Sequence, residues 1–150
     1  MKKLIFILTT FLLVISCANS NRNSKATYIQ TKEFSKLNLP FSQAVQYEKI
    51  IYVSGQIGDL EETGKLIEGG IIPETNQTMK NIKKVLEQNG SSMDNIIKCT
   101  CMLADISEWG QMNSEYVKFF PNHKPARSAF ATTGLSLGAR VEIECIAYVK

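Results

Sequence analysis

The sequence predicts an α+β domain in which two helices cover one face of a mixed β-sheet. Three observations lead to this fold class. Four apolar segments have the alternation or the β-branched composition of strands, two longer segments repeat their apolar residues with helical spacing, and the helices fall between strands along the chain. A chain of 150 residues has room for one such domain after a leader.

Residues 1–17 are predicted to be that leader. Lys2 and Lys3 precede an apolar run that fits a secretory signal peptide and is too short to span a bilayer. The run ends in Ile15-Ser16-Cys17, similar to a bacterial lipobox, whose cysteine is lipidated. We therefore expect Cys17 to anchor the protein to a membrane of the bacterial cell envelope, outside the cytoplasm and on the periplasmic side. The alternative is a plain signal peptide in which Cys17 is incidental.

The polar stretch 18–27 predicts a flexible tether, and residues 28–150 are expected to form the domain. The leader also affects the charge balance, because two of the chain's 17 basic residues lie in it and 14 residues are acidic. The remainder is close to neutral and lacks the basic surface that nucleic acid binding needs. We expect no nucleic-acid partner.

The first half of the domain begins with a strand at 49–57 (KIIYVSGQI), rich in β-branched residues. Residues 58–70, rich in glycine and charge, predict a loop or hairpin. The first helix is predicted at 73–89, and Gly90 follows it as a left-handed C-cap. Its apolar stripe comprises Met79, Ile82, Val85, Leu86 and Asn89.

The next two elements are a strand at 95–103 and a second helix at 107–120. Asp105 and Glu108 have the spacing to cap the start of this helix, and Pro121 ends it. Its apolar stripe consists of Met112, Tyr116, Phe119 and Phe120.

Two strands close the domain, at 126–133 and 140–149. The last has the clearest alternation. One face carries Val141, Ile143, Cys145, Ala147 and Val149, and the other carries Arg140, Glu142 and Glu144. One face is therefore expected to pack on a core.

The histidine and cysteine content limits the chemistry. A single histidine, His123, rules out a multi-histidine zinc site, and no HExxH, CxxC, GxGxxG or Walker motif occurs. We therefore expect neither metal nor cofactor. Cys99, Cys101 and Cys145 are predicted to be buried core thiols, the rarer alternative being an exposed redox pair.

A few polar residues inside apolar segments are candidates for chemistry. Arg127 begins a strand between small neighbours, and its planar fork suits a carboxylate. The alternative, favoured by spacing alone, is a structural arginine paired to a glutamate of the adjacent strand. Glu142 and Glu144 share a strand face and could serve acid/base catalysis, or simply form a solvated face beside Arg140.

Together these segments resemble the RidA (YjgF/YER057c) family over about residues 34–150. The motifs that carry the resemblance are LPFSQA at 39–44, VSGQI at 53–57, Met112-Asn113 followed by Tyr116 and Phe119-Phe120, PARS at 125–128, and VEIECIA at 141–147. The last two motifs are the most specific. Their order and spacing also match the family.

The resemblance implies a chorismate-mutase-like homotrimer with a cleft at each subunit interface. It implies hydrolysis of 2-imino and enamino acids, such as 2-aminoacrylate, to 2-oxo acids and ammonia. Arg127 would bind the substrate carboxylate, Glu142 would act on the attacking water, and Ser54, Gly55 and Asn113 would line the cleft. The alternative is a non-catalytic module that binds carboxylates or acts as a holdase in the same clefts.

Two positions depart from the family pattern. Phe41 replaces a common tyrosine, and Ala129 replaces a common cysteine. Both are expected to contact substrate, so the pocket is predicted to be roomier and more apolar and to accept larger imino acids.

Overall fold

The computed structural model describes residues 25–150, so Cys17, the predicted leader and most of the predicted tether lie outside the described residues. The helices of the described part are α1 (Lys32–Lys36), α2 (Ile71–Gln88) and α3 (Trp109–Tyr116). Its strands are β1 (Thr27–Ile29), β2 (Ala44–Tyr47), β3 (Ile50–Gln56), β4 (Asp59–Leu60), β5 (Lys65–Leu66), β6 (Ile96–Leu103), β7 (Ala126–Ala131) and β8 (Val141–Tyr148).

Six strands form one sheet in the order β1-β2-β3-β8-β6-β7. Neighbouring strands are antiparallel except β6 and β7, which are parallel because the chain crosses over through α3 between them. The predicted mixed sheet is therefore confirmed. Residues 58–70 contain the β4-β5 hairpin, one of the two alternatives predicted for that segment.

The core lies between the sheet and the helices α2 and α3. In β8, Val141, Ile143, Cys145 and Ala147 are buried, as the alternation predicts. Met79, Ile82, Val85 and Leu86 of α2 pack against this face. Asn89, predicted in the same stripe, instead follows the end of α2 and donates its side-chain amide to the Val85 carbonyl at 2.7 Å. Both helices lie on the same side of the sheet, which confirms the α+β architecture. The opposite face of the sheet is not covered by α2 or α3. We call it the open face.

Helix α2, the first of the two predicted helices, begins two residues earlier than predicted and ends at Gln88. Pro73 lies inside its first turn, where a missing N–H costs little because the first N–H groups of a helix have no partner within it. Gly90 has φ 73°, so the predicted left-handed C-cap is confirmed. None of the helices described between residues 25 and 150 combines the length and apolarity needed to cross a membrane.

Helix α3, the second of the two predicted helices, is shorter than predicted. A 3-10 turn (Ile106–Glu108) precedes α3, and another (Val117–Phe119) follows it. Asp105 caps the first turn by accepting a hydrogen bond from the Ser107 N–H at 2.9 Å. Glu108 does not complete a capping box, because the guanidinium of Arg140 holds its carboxylate through Nε at 2.8 and 2.9 Å. Arg140 is thus paired to Glu108, away from the open face.

Candidate active site

Arg127 lies in β7, an edge strand, and faces the helices. It pairs in register with the buried Cys99 of β6, and paired residues share a face of the sheet. Its guanidinium carbon lies 4.9 Å from the ring centroid of Tyr116 and 5.7 Å from that of Trp109. Within residues 25–150, no carboxylate forms an ion pair with Arg127. The alternative of a structural arginine paired to a glutamate is therefore wrong within the described protomer.

Asn113 and Ala129 lie on the same side of the sheet as Arg127. Ala129 follows Arg127 by two residues and packs partly against the core. Asn113 is four residues after Trp109 and three before Tyr116, so it shares the helix face whose rings contact the guanidinium. We call Arg127, Asn113 and Ala129 the arginine half-site.

Glu142 projects from β8 onto the open face, since its neighbours Val141 and Ile143 point into the core. A β-bulge in β3 places Ser54 and Gly55 opposite a single residue of β8. The bulge brings the Gly55 backbone against the carboxyl group of Glu142, where a Cβ on residue 55 would lie 2.8 Å from Cδ and closer still to Oε1. A side chain at residue 55 would therefore push the Glu142 carboxyl group out of this position.

The environment of Glu142 makes its carboxylate a stronger base than an exposed one. Burial raises the pKa of Glu142, and the negative charge of Glu144 raises it further. The carboxylate of Glu142 accepts no hydrogen bond from the described residues that would offset this effect. The predicted pairing of the two glutamates on one face is confirmed by the alternation of burial along β8.

Ser54 precedes Gly55, and its hydroxyl connects β3 to the segment that carries Phe41. The Ser54 hydroxyl donates to the carbonyl of Ser42 at 2.7 Å, so it is left with acceptor capacity toward a ligand. Phe41 precedes that carbonyl and is half exposed, with its ring edge-on to Phe34 at 5.8 Å. We call Glu142, Gly55, Ser54 and Phe41 the glutamate half-site.

The two half-sites lie on opposite faces of one sheet. Arg127 is in register with Cys99, whereas Glu142 is in register with Met102, which alternates with buried residues of β6. One protomer therefore does not bring Arg127 and Glu142 together. A site that uses both must join the arginine half-site of one copy to the glutamate half-site of another.

The remaining candidates from the sequence are the three cysteines of the core and His123. Cys99, Cys101 and Cys145 are buried and free, as predicted, and burial raises the thiol pKa of Cys99 to about 11 and of Cys101 to about 12. They are poor nucleophiles at neutral pH. His123 is exposed beside a surface depression of about 410 Å³. Between residues 25 and 150, no three His, Cys, Asp or Glu side chains cluster as metal ligands.

Replacing Gly55 with alanine is expected to lower kcat about 10- to 100-fold for any reaction that uses Glu142, because the new methyl group must displace the carboxylate. Gly134→Ala is the matched control, since a Cβ there meets no atom within 4 Å. The measurement is steady-state kinetics together with thermal unfolding. Equal kcat in both variants would contradict the close approach.

Known proteins resemble the chain over most of its length. A profile described as Endoribonuclease L-PSP matches residues 33–149. The mouse 2-iminobutanoate/2-iminopropanoate deaminase is 42% identical over 72% of this chain and 80% of its own length. The Arabidopsis thaliana Reactive Intermediate Deaminase A, chloroplastic, is 34% identical over 88% and 71% of the two chains.

Solved structures agree with the fold. A Rid family protein from Yersinia pestis has a TM-score of 0.78 and 40% identity, covering 83% of this chain and all of its own. Escherichia coli TdcF with bound serine has a TM-score of 0.70 and 28% identity, covering 75% of this chain and 90% of its own. The fold, the motifs and these matches establish that the chain belongs to the Endoribonuclease L-PSP family, to which the RidA (YjgF) proteins belong.

Proposed function

We propose that this protein hydrolyses 2-imino and enamino acids, such as those derived from 2-aminoacrylate, to 2-oxo acids and ammonia. The observation that carries the proposal is the guanidinium of Arg127, which is exposed in part and has no acidic partner in the described protomer. Such a group suits the carboxylate of an imino acid. The names of the deaminase relatives at 34–42% identity support the same reaction.

The chemistry requires positioning more than activation. An imine carbon is already electrophilic, so a clamp on the carboxylate and a base for water suffice. Arg127 holds the carboxylate, and Glu142 takes a proton from water as its oxygen bonds to the imine carbon and the C=N π electrons move to nitrogen. Return of that proton to nitrogen completes the carbinolamine, which carries OH and NH2 on one carbon. Glu142 then moves the hydroxyl proton to this nitrogen, so that ammonia leaves as the C–N bond breaks and the C=O bond forms.

The remaining cleft residues would orient the substrate. The Ser54 oxygen can accept a hydrogen bond from the imine N–H, since its own proton is used on Ser42. The Asn113 side chain, which forms no hydrogen bond within the described residues, can bind the carboxylate or the developing hydroxyl group. Gly55 gives the substrate and Glu142 close access to the backbone of β3.

The catalytic assembly is proposed to be a homotrimer. The open face exposes the aromatic side chains of Tyr52, Phe130 and Tyr148 by 49%, 47% and 37%, an apolar surface that a second copy can cover. Such contact would let the arginine half-site of one subunit face the glutamate half-site of the next. Analytical ultracentrifugation should give three times the chain mass, and a fully active monomer would contradict this assembly.

The pocket is proposed to accept large imino acids, because Ala129 leaves space beside Arg127 and Phe41 adds apolar surface. Ala129→Met is expected to lower kcat/KM for a leucine-derived imine about 10-fold relative to an alanine-derived imine, since it fills that space. The ratio is measured in one coupled assay with both substrates. Wild-type activity restricted to the imine derived from 2-aminoacrylate would contradict a roomy pocket.

The location is proposed to be the bacterial cell envelope, with the protein anchored outside the cytoplasm through a lipid on Cys17. The support is the leader sequence that ends at Cys17. Labelling of the full chain with a radioactive fatty acid should be lost in Cys17→Ser. Incorporation into that variant would remove the anchor from the proposal.

The deaminase proposal itself is tested with imino acids generated in the assay by an amino-acid oxidase. Release of the 2-oxo acid should exceed the spontaneous rate in proportion to the amount of protein. If the protein binds 2-oxo acids without accelerating hydrolysis, the non-catalytic binding module replaces the deaminase.

A further inference from the structure

Two aromatic rings of α3, those of Trp109 and Tyr116, lie beside the arginine half-site. The guanidinium of Arg127 lies within 6 Å of the ring centroids of both Trp109 and Tyr116, inside the range of cation–π attraction. Trp109 and Tyr116 are seven residues apart, two turns along one face of α3. We call this pair the aromatic cradle.

The aromatic cradle attracts the guanidinium cation, as an acidic partner would, but does not occupy its N–H groups. A carboxylate beside Arg127 would accept the same in-plane N–H groups that a substrate carboxylate needs. An aromatic ring attracts the cation through its π face and accepts no bidentate hydrogen bond, so the N–H fork stays available. Arg127 has no ion pair among residues 25–150, which agrees with this division of roles.

The two rings differ in how they are supported. Tyr116 is 5% exposed and packs against Phe120 with ring centroids 4.9 Å apart, so its ring cannot move far. Its buried hydroxyl lies beside the thiol of Cys99, and its contact to Arg127 is made by the ring. Trp109 is 45% exposed and can be changed with little loss of core packing.

We propose that Trp109 and Tyr116 are positioning residues, which hold the Arg127 guanidinium by its faces so that its N–H fork points at a substrate carboxylate. The inference rests on the proposed function, because it assigns the carboxylate clamp to Arg127. It goes further in naming the groups that orient the clamp. It also gives the Arg127 guanidinium two contacts in its own protomer that do not use its N–H groups.

The test uses binding of 2-oxobutanoate, a reaction product, by the full-length protein, so that turnover is not needed. Trp109→Leu is expected to raise the Kd about 5- to 10-fold, whereas Trp109→Phe, which keeps an aromatic face, should stay within about 2-fold of wild type. Tyr116→Phe should bind like wild type. In an Arg127→Ala background, Trp109→Leu should have no further effect, because the indole acts through the guanidinium.

Ile72→Ala is the control, since Ile72 is also a large side chain with 46% exposure but lies on α2. Its Kd should equal that of wild type. Equal Kd values for Trp109→Leu and wild type, or the same loss with and without Arg127, would overturn the cradle. Wild-type binding of 2-oxobutanoate without imine hydrolysis, together with the Trp109→Leu loss, would refute the deaminase and support the cradle.

Discussion

Arg127→Ala is expected to lower kcat/KM for imine hydrolysis by about 100-fold or more, the largest effect predicted for a single binding residue in this protein. The substitution removes a bidentate, charge-assisted contact with the substrate carboxylate, and 100-fold corresponds to about 2.7 kcal/mol of transition-state stabilisation. The measurement is kcat/KM in the coupled oxidase assay, corrected for spontaneous hydrolysis.

The folded state should tolerate this substitution. Arg127 is partly exposed on an edge strand and forms no ion pair with a described residue, so the midpoint of thermal unfolding should change little. Arg127→Lys is the matched control, because it keeps the charge and loses the planar fork, and it should retain activity between wild type and alanine. Wild-type kcat/KM in Arg127→Ala would exclude Arg127 as the clamp.

The alternation of β8 explains why much of the fold can be predicted from the sequence. A strand with one apolar face shows which residues enter the core, and burial along β8 follows that pattern. The secondary structure of residues 27–47 is harder to predict from the sequence, because β1 has three residues, none fully buried, and α1 has five with no buried residue. Short exposed elements carry little periodicity, and neighbouring strands and local caps decide their structure.

The candidate site was less predictable than the fold. The unusual settings of Arg127 and Glu142 are visible in the sequence, since each is a charged residue inside an otherwise apolar segment. The face that each one occupies depends on how β7 and β8 pair with β6, and on the bulge at Gly55, which are tertiary facts. Trp109 had one available signal, its seven-residue spacing from Tyr116, but that spacing is equally typical of a core-facing stripe.

Arg127 and Glu142 lie on opposite faces of the sheet, so they do not form an ion pair within one protomer. A guanidinium and a carboxylate placed together in one protomer would pair and neutralise each other before any substrate arrived. Here the sheet keeps Arg127 and Glu142 apart, and the Glu142 carboxylate stays basic while Arg127 stays available. In the proposed trimer, a substrate whose carboxylate binds Arg127 would present its imine carbon to the water beside Glu142.

Glu142→Gln is expected to reduce kcat about 100- to 10,000-fold, the range of a lost general base, with a smaller effect on KM. Glutamine keeps the size of the side chain beside Gly55 but cannot take a proton from water. The wild-type rate should rise with pH through the raised pKa of Glu142, and this rise should begin at a higher pH than the ordinary glutamate value predicts. The variant should lose it. Residual activity with the wild-type pH profile would exclude Glu142 as the base.

The same pKa shift predicts that stability falls as pH rises, whereas the rate of hydrolysis rises. Glu142→Gln should therefore lower activity without lowering stability. Burial and Glu144 raise the pKa of Glu142 in the folded state, so the folded protein binds more protons than the unfolded chain between the two pKa values. The stability contributed by Glu142 is therefore present below its unfolded pKa and is lost as pH rises through its folded pKa. Glu142→Gln removes this cost, so at neutral pH the inactive variant should unfold at a temperature equal to or above that of wild type. If Glu142→Gln were both inactive and less stable at neutral pH, Glu142 would have a structural role. An uncharged side chain at this position is otherwise expected not to lower the free energy of unfolding.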